Sequence, residues 1–168
     1  MRTPRVLFVC LGNICRSPTA EAVFRKRAAD ASLDVETDSA GTSGCHAGEP
    51  PDPRSIRAGK KRGYNFYNIK SRMITEADFH YFDHILAMDM DNFRKLSSLC
   101  PHEHMSRLRL FADFAKDARI REIPDPYYAG TEKFESVLDL CEKAGDGLIA
   151  LLKNNQNMQT EPGTQSIP

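Results

Sequence analysis

Cys10 and Arg16 bracket five residues, Leu11-Gly12-Asn13-Ile14-Cys15, and Ser17-Pro18 follows at once. A thiol, a guanidinium and a hydroxyl at this spacing suit an oxyanion. Successive backbone N–H groups of a tight loop can point inward, and a helix starting behind them adds partial positive charge. Arg16 offers a planar fork of donors that matches two phosphate oxygens. Gly12 permits backbone angles closed to other residues, and Asn13 tolerates the left-handed region. The stretch Leu11 to Ser17 is therefore a candidate phosphate-binding loop.

The same field acts on Cys10. Helix N-termini and neighbouring cations favour the thiolate, the reactive form of cysteine. A thiolate facing bound phosphorus is a nucleophile for phosphoryl transfer through a cysteinyl-phosphate. The Ser17 hydroxyl is placed to hydrogen-bond the sulfur and stabilise it as a leaving group. The plainer alternative is two core cysteines and a solvated arginine, because Cys-x5-Arg arises often by chance. An apolar strand before the motif, glycine inside it, and Ser-Pro with a helical pattern after it weigh against that alternative.

An expelled alkoxide or phenoxide needs a proton from a general acid outside the loop. "PDPYY" offers Asp125 between two prolines, in a long stretch with no other evident role. Pro-Asp-Pro is also turn chemistry. Tyr127 and Tyr128 favour the functional reading, since they could wall a cleft for an aromatic substrate. A Walker-type loop is excluded because no Gly-Lys-Ser/Thr follows. Zinc lacks a second Cys/His pair at ligand spacing, and His102-Glu103-His104 reads as an exposed loop. No metal or cofactor is expected.

These residues require elements to position them. Arg5 to Cys10 is a short apolar run ended by Gly-Asn, which predicts a buried strand. A helix follows, with Ser17 as N-cap and Pro18 at the first helical position. Further strands are expected at Val35 to Ser39, Asp83 to Asp89 and Arg107 to Phe111, and helices at Pro53 to Lys61, from Thr75 to Phe82 and through Leu96. A last amphipathic helix runs from Glu132 to about Lys153, with Phe134, Val137, Leu138, Cys141 and Leu148 on its apolar side. Strands alternating with helices imply an α/β fold with an open parallel sheet covered on both faces. Ligands collect at the carboxyl ends of such strands, where Cys10 falls.

The chain has 168 residues, one domain's worth, with 23 basic and 23 acidic side chains and a net charge of zero. No global field is present to gather nucleic acid or an anionic membrane. No window is long and apolar enough for a membrane span. The start, Met1 to Leu11, is too short in its apolar part for a signal peptide, so a cytoplasmic protein is expected. Five scattered cysteines form no disulfide framework. Residues 1–153 are expected to be the domain, and the polar stretch 154–168 a disordered tail.

Taken together, "VCLGNICRSPTAEAVF", "DSAGTSG", "EPPDPRS", "FDHILAMD" and "DPYYAG", in that order, resemble the low-molecular-weight protein tyrosine phosphatase family from about Arg5 to Leu152. The resemblance implies a three-layer, flavodoxin-like fold with a four-stranded parallel sheet of order 2-1-3-4 flanked by helices. It implies metal-free, two-step hydrolysis of phosphotyrosine in proteins. By matching position Cys10 is the nucleophile, Arg16 the phosphate clamp, Asp125 the acid and then the base, and Ser17 the thiolate partner. Asn13 shapes the loop and is held by Ser39. Cys15 matches the family's second cysteine, which can form a reversible disulfide with the nucleophile. Leu11, Cys45, Glu49, Tyr127 and Tyr128 fall in the substrate cleft, and a monomer or weak dimer is expected.

There are departures. Cys45 occupies a position that is often aromatic in the family, which removes one cleft wall. Ile69, ahead of Arg72, replaces a histidine of the loop network. Related scaffolds act on phosphoarginine or reduce arsenate. The former tend to carry Thr where this chain has Ile14, and the latter need closely spaced downstream cysteines, whereas Cys100 and Cys141 lie far apart. A phosphotyrosine-binding module without turnover is the non-enzyme alternative.

Overall fold

The computed structural model describes residues 2–160. Strand β1 (Arg5–Cys10) lies at the centre of a four-stranded sheet, with β2 (Glu36–Gly41) on one side and β3 (His84–Ala87) then β4 (Leu108–Leu110) on the other. All pairings are parallel, and the order β2-β1-β3-β4 is the expected one. Register places Phe8 between Ser39 and Leu86, and Cys10 beside Gly41. Helices α1 (Arg16–Asp30), α2 (Pro53–Lys61), α3 (Glu76–Tyr81) and α4 (Met90–Leu99) lie in the crossovers that parallel strands require, and α5 (Thr131–Thr160) follows the last strand.

Side-chain alternation along β1 builds two cores. Val6 and Phe8 join Phe24 of α1 and Phe134, Leu138 and Leu148 of α5 on one face. Leu7 and Val9 join Phe79 of α3, Leu96 of α4 and Ile85 on the other. Phe8 anchors the first core, its ring 5.5 Å from Phe24 and 5.1 Å from Phe111, both tilted or edge-on. Burial on both faces explains why β1 reads as a continuous apolar run.

Local chemistry sets the helix ends. Asp52 caps α2 by accepting from Arg54 N, and Asp89 caps α4 by accepting from Asn92 N. Thr75 N donates to Asp78 Oδ2 at 2.8 Å in a capping box that starts α3.

Four expectations shift. Helix α1 begins at Arg16 without a side-chain cap; Ser17 is no N-cap, because its hydroxyl is turned inward to Cys10. Pro18 is accordingly third in the helix, still within the first turn where no N–H is needed. The fourth strand contracts to Leu108–Leu110 between two 3₁₀ turns, His102–Arg107 and Phe111–Ala115. Helix α5 continues past Lys153 to Thr160, so Asn154 to Thr160 are helical rather than disordered. No Gly or Pro interrupts before Pro162, and each added residue gains a hydrogen bond once the helix exists. Residues 161–168 of the expected tail lie outside the described residues.

α5 passes so close to the turn at Phe111–Ala115 that a Cβ on Gly147 would lie 1.7 Å from Phe114 O.

Candidate active site

Cys10 ends β1 and is 3 % exposed. Its Sγ lies 3.0 Å from Ser17 Oγ, and Asn13 N donates to it at 3.3 Å. The loop between them turns on Asn13, whose φ of 55° lies in the left-handed region. Asn13 is fully buried; Nδ2 donates to Ser17 Oγ at 2.7 Å, and Oδ1 accepts from Arg72 N at 3.0 Å.

The loop is latched from outside. Ser71 Oγ donates to Gly12 O at 2.9 Å, Asp52 N to Ile14 O at 2.7 Å, and Ser43 N to Leu11 O at 2.9 Å. Gly41, paired with Cys10, has no room for a side chain: a Cβ there would meet Leu11 O at 2.7 Å and Ser43 O at 2.9 Å. Arg72 is itself fixed by Asp78 and Asp38.

Arg16 is the first residue of α1, and its side chain is almost completely buried. Nη1 donates to Asp89 Oδ2 at 2.5 Å and to Ile123 O at 3.1 Å, while Nη2 lies 3.6 Å from Asp125 Oδ2. Burial alone would disfavour its charge, but Cys10, then Asp89 and Asp125, outweigh this and raise its pKa. Asp125 remains 43 % exposed, within reach of a substrate, and its Oδ1 accepts from Tyr127 N at 3.1 Å.

Cys15 differs from Cys10. Burial, then Asp52 and Cys10, push its thiol up to about 12, and it donates toward Asp52 Oδ2 at 3.8 Å. Cys15 is therefore held as the thiol.

A cavity of ≈ 210 Å³ joins these groups. Its floor is Cys10, Gly12, Ile14, Cys15 and Arg16; its rim is Leu11, Cys45, Asp125, Tyr127 and Tyr128. Tyr127 packs edge-on to Tyr128 with ring centroids 4.8 Å apart. Asn13 and Ser17 lie behind the floor, fully buried.

Two sequence-based placements need correction. Ser39 does not hold Asn13; its Oγ donates to Glu21 Oε1 at 3.4 Å, and the role falls to the Arg72 N–H, a backbone donor that no side-chain pattern reveals. Glu49 does not line the cavity. Its Oε2 lies 2.8 Å from His46 Nδ1, and His46 is the residue on the wall. His46 was legible only as the neighbour of Cys45. Asp89 was also missed, although it sits just past the carboxyl end of β3, where ligand-side residues of such sheets occur. Ile69 is buried in the core rather than in the loop network.

Residues 5–158 match the family model described as low molecular weight phosphotyrosine protein phosphatase. The chain belongs to this family. It is 38% identical to the low molecular weight protein-tyrosine-phosphatase YfkJ of Bacillus subtilis, over 91% of this chain and 98% of that one. It is 41% identical to the human low molecular weight phosphotyrosine protein phosphatase, over 83% of this chain and 89% of that one. The crystal structure of a protein tyrosine phosphatase from Entamoeba histolytica with Hepes in its active site superposes with a TM-score of 0.88 at 42% identity. That match covers 92% of this chain and 99% of the other. The fold expected of a low molecular weight phosphatase is the fold observed.

Proposed function

We propose that the protein hydrolyses phosphotyrosine in proteins, and small aryl phosphates, through a cysteinyl-phosphate on Cys10. The observation that carries this reading is one sulfur bonded by Asn13 N and Ser17 Oγ, in a cavity shared with Arg16 and Asp125. The phosphoryl group enters the loop Leu11 to Ser17, with two of its oxygens on the Arg16 fork. Cys10 Sγ attacks phosphorus as the bond to the tyrosine oxygen breaks, and Asp125 donates its proton to that oxygen. Asp125, now a carboxylate, takes a proton from water that attacks phosphorus; the S–P bond breaks and the sulfur leaves as a thiolate stabilised by Ser17. Developing charge is met by donors already in place, so little reorganisation is required.

The substrate ring lies between Ile14, Tyr127 and Tyr128. These apolar walls favour a phenyl group over a guanidinium. We place the enzyme in the cytoplasm as a monomer or weak dimer, acting on neither nucleic acid nor membranes and needing no cofactor. In support, the chain is neutral overall, its five cysteines are unpaired, and no helix among the described residues is long and apolar enough to cross a membrane.

The test is hydrolysis of an aryl phosphate with a chelator present. The mechanism uses Asp125 as acid and Cys10 as thiolate, so the rate follows a bell-shaped pH profile. Asp125→Ala lowers kcat by about 10²–10⁴-fold with KM little changed. A rate that rises steadily to alkaline pH, or that vanishes with chelator, overturns the reading. Phosphoarginine offered beside phosphotyrosine tests the role of Ile14.

A further inference from the structure

The stretch Arg54 to Arg62 holds five cations and no carboxylate in a chain that is neutral overall. Arg54 is spent on Asp52, with contacts of 2.8 and 3.1 Å. Arg62 is spent on Glu135, Asp139 and Glu142 of α5. Arg57, Lys60 and Lys61 are exposed, and among the described residues none of them has a carboxylate partner. Arg54, Arg57 and Lys61 follow one helix face at i, i+3, i+7. That face forms one wall of a groove of ≈ 200 Å³ whose other wall is Thr131, Glu132, Phe134 and Glu135.

The groove adjoins the catalytic cavity. Arg54 lies 4.6 Å from the Phe134 ring centroid and 5.5 Å from that of Tyr127, which is itself a cavity wall. A peptide whose phosphotyrosine occupies the cavity passes the Tyr127–Arg54 contact to reach the groove. Cations in the last turn of α2 complement the helix dipole, which accounts for Lys60 and Lys61 locally. It does not account for Arg57, one turn earlier, nor for the absence of any acid on the helix. Of the carboxylates opposite, Glu135 is engaged by Arg62, and Glu132 folds over Gly130.

We propose that α2 reads acidic residues flanking the phosphotyrosine, with Arg57 and Lys61 taking carboxylates of the substrate peptide. This deepens the phosphatase reading and rests on it. An extended peptide advances about 3.3–3.6 Å per residue, so the recognised carboxylates lie a few residues from the phosphotyrosine.

The experiment compares kcat/KM for phosphotyrosyl peptides carrying Glu or Gln at the flanking positions, on either side, in the native enzyme and in Arg57→Ala/Lys61→Ala. p-Nitrophenyl phosphate serves as the flankless control. At low salt the native enzyme prefers the Glu peptide by about tenfold, the sum of two exposed ion pairs. The preference collapses in the double variant and in high salt, while p-nitrophenyl phosphate turnover is unchanged in both. Equal rates on Glu and Gln peptides, or a preference that survives the double substitution, overturns the proposal. Equal peptide rates together with binding to phosphatidylserine vesicles that the variant loses would assign the strip to membranes instead. If the native enzyme hydrolyses the peptides and the control alike but without preference, only the flank reading fails. If it hydrolyses none of them, the phosphatase reading itself fails.

Discussion

The phosphate loop and the loop of Asp125 face each other across one cavity and are built in opposite ways. Cys10, Asn13, Cys15, Arg16 and Ser17 are all at most 5 % exposed. Their backbone is latched by Arg72 N, Ser71 Oγ and Asp52 N, and Gly41 presses against it. The acid loop carries an exposed Asp125 and a Tyr128 that is 96 % exposed. It is pinned at Ile123, which is fully buried, whose N–H donates to Met88 O at 2.8 Å and whose carbonyl accepts from Arg16. A nucleophile must have its charge stabilised before the substrate arrives, which demands fixed donors. An acid must meet a leaving group that arrives with the substrate, and exposure allows that.

If the latching of the first loop matters, disturbing it without touching a reactive group should be costly. In Gly41→Ala the new Cβ meets backbone oxygens of the loop and its neighbour, which cannot move independently. We expect kcat/KM on an aryl phosphate to fall by about 10²-fold, the effect of a shift near 1 Å in reacting groups. An unchanged rate would show that the loop adapts, and the contrast with the acid loop would lose its basis.

Ile123→Ala probes the pin of the second loop. Removing this fully buried side chain should cost about 2–5 kcal/mol in denaturant unfolding. Because Ile123 O also holds Arg16, kcat should drop about tenfold in the fraction that remains folded. A loss of stability with kcat intact would mean that the acid finds its place without the pin.

A pH dependence lies behind the first loop. Glu21, one turn beyond Ser17 in α1, is 2 % exposed, and burial raises its pKa to about 7 despite Arg25. The folded state therefore keeps a proton that the unfolded chain releases near ~4.3. Its contribution is full below that lower value and is lost as pH rises through about 7. The loss is on the order of 3 kcal/mol. Urea midpoints measured across this window should fall with pH, and Glu21→Gln should flatten the slope. A native slope equal to that of the variant would remove Glu21 as its source.

The same contrast explains what was legible in the sequence. The first loop is local: thiol, glycine, guanidinium and helix start lie within eight residues, and Asp125 announces itself between prolines. The supports of the loop are not local. Arg72 reaches Asn13 through a backbone N–H across 59 positions, and Arg16 finds Asp89 across 73. Such pairings depend on strand register, which no local pattern encodes. The resemblance pairs Ser39 with Asn13, yet Ser39 faces Glu21. Glu49 lies outside the cleft, in contact with His46 on its wall. The extension of α5 to Thr160 was hidden because Asn-rich polar residues read as coil, although an established helix carries them.

The most direct test is to quench the enzyme in acid during turnover of an aryl phosphate and map any phosphate on the chain by mass spectrometry. One phosphate is expected, on Cys10, with none on Cys15 and none in Cys10→Ser. Turnover with no covalent phosphate, or with phosphate on another residue, would contradict it.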